Sequence, residues 1–190
     1  MMKYLQKLGK AIMLPVAVLP VAAIMMGIGY AMCPATMQGG DVTGIIQIIG
    51  FALVKIGSAV IDKLPMLFAV GVAIGLSKDQ HGAAGLAGLV AFLTVTTVLN
   101  SGVVATMMGA EEAPLAFSKI DNAFIGIISG ITASVCYNKF SSAQLPTALA
   151  FFSGKRCVPI VTSFVMVAES AILYFVWPML FNALVWVGEH

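Results

Sequence analysis

The residues of this chain that could do chemistry are few and scattered. Its two histidines, His81 and His190, lie far apart, the first in the polar turn Lys78-Asp79-Gln80-His81, where a solvated loop residue is expected. Cys33, Cys136 and Cys157 form no Cys-x-x-Cys pair, and an odd count closes no disulfide framework, so they read as small packing residues. Glu111 and Glu112 are neighbours in sequence, but adjacent side chains on a helix point apart and do not make a working pair of carboxylates. Glu169 is the single charge inside the apolar block from Cys157 to Val187. An ionised carboxylate at the centre of a bilayer costs at least ~2.5 kcal/mol on insertion scales unless it is paired, wetted or protonated. That makes Glu169 a candidate proton relay, the alternative being a tilted or broken helix that brings it to water. There is no nucleophile with a base, no Walker motif and no His-Glu-x-x-His. Neither catalysis by this chain alone nor a resident metal or cofactor is expected.

The medium decides how these residues are to be read. Hydrophobic residues make up 60% of the sequence and charged residues 9%, and the mean hydropathy is +1.02. The block Ala11–Cys33 carries no charge and can cross a hydrocarbon core of about 30 Å, which takes roughly 20 helical residues. An all-α, multi-pass helical bundle of about five spans with interfacial amphipathic helices is therefore expected. The first is Ala11–Cys33, the third Gly82–Leu99, the fourth Ala123–Tyr137 and the fifth Cys157–Val187. The second, Leu64–Ser77, is too short by itself. It must borrow helix from Thr43–Asp62, where Ile45, Ile46, Ile49, Leu53 and Ile56 recur at helical spacing, unless that segment lies flat in the interface.

Basic residues set the orientation, because Lys and Arg are held on the cytoplasmic side. With the N-terminus inside, Lys3, Lys7, Lys10, Lys78, Lys139, Lys155 and Arg156 are cytoplasmic, and Lys55, Lys63 and Lys119 are outside. Asp41, Asp62, Glu111, Glu112, Asp121 and Glu189 then also fall outside. Lys3, Lys7 and Lys10 share one helix face and suit either anionic headgroups or an ordinary positive-inside flank. A net charge of +2 and the absence of a basic cluster interleaved with aromatics exclude nucleic acid as a partner. Pro15 and Pro20 interrupt the first span and should bend it. Gly71-x-x-x-Gly75, Ala84-x-x-x-Gly88 and Gly126-x-x-x-Gly130 have the small-residue spacing that brings helices together in lipid.

Several stretches read together carry a family resemblance. They are Gly9-Lys10-Ala11-Ile12-Met13-Leu14-Pro15-Val16 on through Leu19-Pro20, Leu64-Pro65-Met66-Leu67-Phe68-Ala69-Val70-Gly71-Val72-Ala73, and Gly126-Ile127-Ile128-Ser129-Gly130 with Tyr137-Asn138-Lys139-Phe140. The most specific runs from Leu145-Pro146 through Phe151-Phe152-Ser153-Gly154-Lys155-Arg156 to Val158-Pro159-Ile160. In this order they resemble the membrane permease, enzyme IIC, of the bacterial phosphoenolpyruvate-dependent sugar phosphotransferase system, in its glucose and N-acetylglucosamine branch. Taken alone, the last stretch places Leu145, Leu149, Phe151 and Phe152 in the interface, with Lys155 and Arg156 at the headgroup boundary.

The resemblance implies a multi-pass protein of the bacterial inner membrane that imports a hexose or amino sugar while a IIB partner, itself charged by IIA, phosphorylates it. It covers the family's first half, the part implied to supply scaffold and homodimer contact. The family's Gly-Ile-Thr-Glu-Pro sugar segment has no counterpart here, so residues 1–190 are expected to act with a C-terminal half of the permease. The competing expectation is a self-standing, oligomerising small membrane protein without transport activity. Pro15, Pro20, Glu169, Lys155 and Arg156 are the structural candidates to follow.

Overall fold

The computed structural model describes residues 2–189, so His190 and the side chains of Lys3 and Glu189 lie outside the described residues. Every regular element in it is helical. Four stretches are long and apolar enough to cross a membrane: Tyr4–Met32, Ile45–Asp62, Ala123–Phe140 and Gly154–Gly188. A fifth arises if Gly82–Val98 and Ser101–Met108, bent by 49° at their junction, are taken together. The chain divides into two compact units, one made of Met13–Leu64 and the other of the remaining described residues.

The first span is broken as its prolines require. Helix α1 (Met2–Val16) ends one residue after Pro15, and α2 (Leu19–Met32) begins beside Pro20, in a first turn where a missing N–H costs nothing. Between them Ala17 and Val18 form a turn whose amides still donate, to Met13 at 3.0 Å and to Pro15 at 3.3 Å.

In the smaller unit α2 is followed by a short α3 (Ala35–Gln38) and by α4 (Ile45–Asp62). Helices α2 and α4 run antiparallel, with Gly29 facing Gly50 and Val54, and Ala22 and Met26 facing Gly57. A Cβ added to Gly29 would stand 2.7 Å from the Gly50 carbonyl oxygen, so the two backbones are in direct contact. The expected isoleucine stripe does not make this contact. Ile45, Ile46, Ile49 and Ile56 are exposed, while Gly50, Val54 and Gly57 are buried. Apolar bulk turned outward and small residues inward is what lipid dictates, since tails solvate isoleucine as well as a neighbouring helix does.

The expectation that Leu64–Ser77 borrows helix from its predecessor needs correction. Helix α4 ends at Asp62 and a separate α5 (Leu64–Leu76) follows Lys63. Pro65 is the cause: it has no amide for Ile61, and its ring disfavours continued helix at the residue before it. By length and composition α4 is a span in its own right, and α5, at 13 residues, is a shorter apolar helix.

The larger unit is built round α5. Helix α6 (Gly82–Val98) crosses it antiparallel, placing Gly85 on Ile74 and Gly88 on Ala69 and Ala73. After α7 (Ser101–Met108) and the short α8 (Leu115–Ser118), α9 (Ala123–Phe140) runs parallel to α5, with Gly126 on the Pro65 backbone and Gly130 on Ala69 and Val72. At the other end of α5, Gly75 receives Ala11 from α1. The last helix, α10 (Cys157–Glu189), closes the unit against α6 and α9. Its Trp177 indole donates to the Ala116 carbonyl at 2.7 Å, a buried bond that ties α10 to α8. The core accordingly mixes small residues, Ala69, Ala73, Ala87, Ala91 and Ala133, with a few large ones, Phe92, Tyr137, Met166 and Trp177.

Gly126 and Gly82 provide a matched test, because a Cβ at Gly126 meets the Pro65 backbone whereas one at Gly82 meets nothing within 4 Å. Gly126→Leu should destabilise the protein by about 1–3 kcal/mol or more, the usual range for overpacking. Gly82→Ala should leave the unfolding midpoint in detergent unchanged.

Candidate functional site

Two polar features stand out in the larger unit: a lock at the basic helix ends, and a seam buried between α9 and α10. The lock begins where α5 stops. Its last carbonyls would be unpaired, and two side chains from other elements, Lys7 and Asn138, reach that end of the helix. Lys7 Nζ donates to Leu76 at 3.1 Å and to Ser77 at 3.3 Å, and Asn138 Nδ2 donates to Leu76 at 3.1 Å. Asn138 Oδ1 accepts from the Lys78 amide at 2.8 Å, while Lys78 Nζ reaches the Asn138 carbonyl at 2.8 Å. Lys155 Nζ meets Asp79 Oδ2 at 2.6 Å, the single ion pair among the described residues.

The electrostatics of that pair follow from the contact. The Lys155 ammonium, with the nearby Tyr137 hydroxyl as second contributor, holds the Asp79 carboxyl at about 2 against its ordinary 3.8. His81 is an exposed loop residue, as expected, with two added engagements. Its Nδ1 accepts from the Ala83 amide at 3.1 Å as the N-cap of α6, and its ring lies nearly parallel to that of Tyr137.

Between α9 and α10 the connector folds into two 3-10 turns, Thr147–Phe152 and Gly154–Arg156. Gly154 makes this possible with φ +71°, and its amide donates back to Ala143 at 2.8 Å. The turns send Lys155 and Arg156 in different directions. Lys155 is spent on Asp79, whereas Arg156 lies over the Phe151 ring at 4.8 Å and donates to the Phe151 carbonyl at 3.3 Å.

The seam is polar in a place where most hydroxyls are satisfied locally. Thr94, Thr96, Ser134 and Ser163 each donate to a carbonyl three or four residues back in their own helix. Ser129 on α9 and Ser170 on α10 do not: both are buried, and neither hydroxyl has a hydrogen-bond partner among the described residues. Thr132 of α9 meets the half-buried Glu169 carboxyl, and Thr162 of α10 faces the Cys136 thiol. Ser129, Thr132 and Cys136 share one face of α9, and Thr162 and Glu169 one face of α10, while Ser170 lies on the adjoining face with Leu99 and Met107.

The remaining expected residues are dispersed. Glu111 and Glu112 lie in a bend rather than on a helix, and both line an open hollow of about 330 Å³ with Ser101 and Ser118. The three cysteines are free and buried. Lys7 is turned to the end of α5 instead of serving only as a headgroup flank. Asn138, Asp79 and Trp177 are bonds across more than sixty positions of sequence, and nothing in local spacing signals them.

An all-helical chain with long, predominantly apolar helices and glycine-mediated contacts, whose charges lie mostly near helix ends with Lys55 and Glu169 as exceptions, is a helical membrane protein. Residues 9–190 match the family described as phosphotransferase system, EIIC, and the chain belongs to that family. It is also 37% identical over 191 aligned residues to the N-acetylglucosamine-specific EIICB component of the PTS system of Bacillus subtilis (strain 168). That similarity covers all of this chain and 36% of the relative, so the chain spans about a third of the protein it matches.

The Asp79–Lys155 pair makes a pH dependence with a definite sign. A carboxyl whose pKa is depressed on folding contributes stability that is complete above about 3.8 and is lost as pH falls through about 2. The difference in melting temperature between the native chain and Asp79→Asn should therefore close as pH is lowered across that window. It should reopen on return to neutral pH.

Proposed function

We propose that this chain supplies the first half of the membrane-embedded permease of a phosphoenolpyruvate-dependent sugar phosphotransferase system, importing a hexose or an amino sugar of the N-acetylglucosamine type. The observation that carries the reading is the EIIC family match over residues 9–190, joined to whole-chain similarity to an N-acetylglucosamine-specific component. In this reading a C-terminal half of the permease holds most of the sugar site. A IIB partner, charged in turn by IIA, phosphorylates the sugar on the cytoplasmic side, and the whole works as a homodimer in the bacterial inner membrane.

The orientation follows from the two ends of the larger unit. Lys7, Lys78, Lys139, Lys155 and Arg156 gather where α5 and α9 finish, with Asp79 as the acid among them. The end carrying the Glu111–Glu112 bend, Lys119 and Asp121 is the acidic one. The positive-inside rule puts the first in the cytoplasm. Pro15 and Pro20 then shape the entry helix, Lys155 and Arg156 fix the cytoplasmic end of α10, and the seam around Glu169 forms one wall of the transport path.

The test is uptake of labelled N-acetylglucosamine in vesicles from a host lacking its own permease. The chain co-expressed with a C-terminal half and a IIB partner, with IIA and the host's own phosphate carriers enclosed in the vesicles, should import sugar only when phosphoenolpyruvate is supplied, and the chain alone should import none. Stable oligomers that no second half converts to transport would instead favour a self-standing membrane module. In the active assembly, Glu169→Gln should lower uptake severalfold with unchanged protein level, because the amide keeps the shape of the side chain and removes its charge.

A further inference from the structure

The connector that carries Lys155 and Arg156 also builds a groove. It is bounded by Phe140 at the end of α9, by Leu145, Leu149 and Phe152 along the connector, and by Phe164 on α10, and it encloses about 550 Å³. That volume falls within the range of small-molecule pockets, roughly 300–1,000 Å³. Its lining is apolar throughout, with the buried Cys157 thiol as the nearest exception.

Such a lining excludes ligands that bring buried polar atoms. A peptide segment would need partners for its amides and carbonyls, and a sugar would need them for its hydroxyls. A hydrocarbon chain needs neither. The rim supplies the complementary half of the recognition. Lys139 Nζ stands 5.6 Å from the ring centroid of Phe140, a lining residue. Arg156 lies over Phe151, which meets the lining residue Phe152 edge-on at 5.3 Å. Both cations are exposed, and neither is paired with a carboxylate among the described residues, because the nearby acid, Asp79, is taken by Lys155.

We propose that this groove is a binding site for an anionic phospholipid, one acyl chain lying between the connector and α10 and the headgroup phosphate read by Lys139 and Arg156. The arrangement favours a net negative lipid over a zwitterionic one, since the latter brings its own cation to a rim that already carries two. It makes the connector a lipid-bound strap across the end of the helices instead of a free loop.

The experiment is native mass spectrometry of the full chain, delipidated in detergent and titrated with phosphatidylglycerol, with phosphatidylcholine of the same acyl chains, and with glycerol phosphate. A saturable phosphatidylglycerol adduct is expected, tighter than that of phosphatidylcholine. Arg156→Gln and Lys139→Gln should each weaken it about fivefold, the worth of one basic residue at an anionic surface. Ala143→Trp, which fills the groove and keeps both cations, should lose the adduct, and Lys10→Gln should leave it unchanged. Equal binding of the two phospholipids, or a preference that survives loss of both cations, would overturn the proposal. So would glycerol phosphate binding as well as the lipid, or an equal loss on Lys10→Gln, which would mean diffuse charge attraction without a site.

Discussion

Helices in lipid gain almost nothing by burying apolar surface against each other, because the tails they displace are equally apolar. What remains is dispersion, which grows with closeness, and the packing of this chain follows from that limit. At several of its helix contacts one partner presents glycine: Gly29 and Gly50 between α2 and α4, Gly88 between α6 and α5, Gly126 and Gly130 between α9 and α5. Helix α5 is the clearest consequence. At 13 residues it is too short to count among the long apolar helices, and it is gripped by α6 and α9 through backbone contact along both flanks. It has little side-chain bulk to offer its partners at these points, and close approach replaces it.

The same medium explains where the polar bonds are. A carbonyl at a helix end has no water inside the hydrocarbon, so the last turn of α5 must be completed by protein. Lys7 of α1 and Asn138 of α9 do this from two elements distant in sequence, Lys78 in turn holds Asn138, and the Asp79–Lys155 pair joins the connector to the same turn. An exposed ion pair contributes little by itself. Its value here is positional, since Lys155 is fixed within the protein and Arg156, one residue on, is left to face outward over Phe151.

The sequence was legible where the physics is local. Charge-free length located α6, α9 and α10, the small-residue spacings marked real contacts at Gly75, Gly88, Gly126 and Gly130, and the paired prolines marked the break between α1 and α2. The error at α4 and α5 was also local in origin. An apolar run continues across Pro65, but a proline two residues after Lys63 cannot continue the preceding helix. The isoleucine stripe of α4 misleads for a different reason. Periodicity reports that a helix has two faces, and the solvent decides which of them is buried; a reading calibrated on water turns this helix inside out. Long-range polar partners such as Asn138 with Leu76 or Trp177 with Ala116 have no local signature, because only the fold brings them together.

The seam between α9 and α10 is the one part that neither packing nor helix completion requires. Thr94 and Thr96 show that a hydroxyl in this chain can be satisfied by its own helix at no cost to its neighbours. Ser129 and Ser170 forgo that arrangement while buried, and a hydroxyl left without a partner is unfavourable by about 1–3 kcal/mol. Glu169, on a neighbouring face of α10, is half-buried with the Thr132 hydroxyl opposite. A purely structural helix pair would be more stable with alanine at both serines and an apolar residue at Glu169. Unspent hydroxyls at Ser129 and Ser170 together with a half-buried carboxylate, all on the two helices α9 and α10, are therefore what scaffold duty alone does not explain.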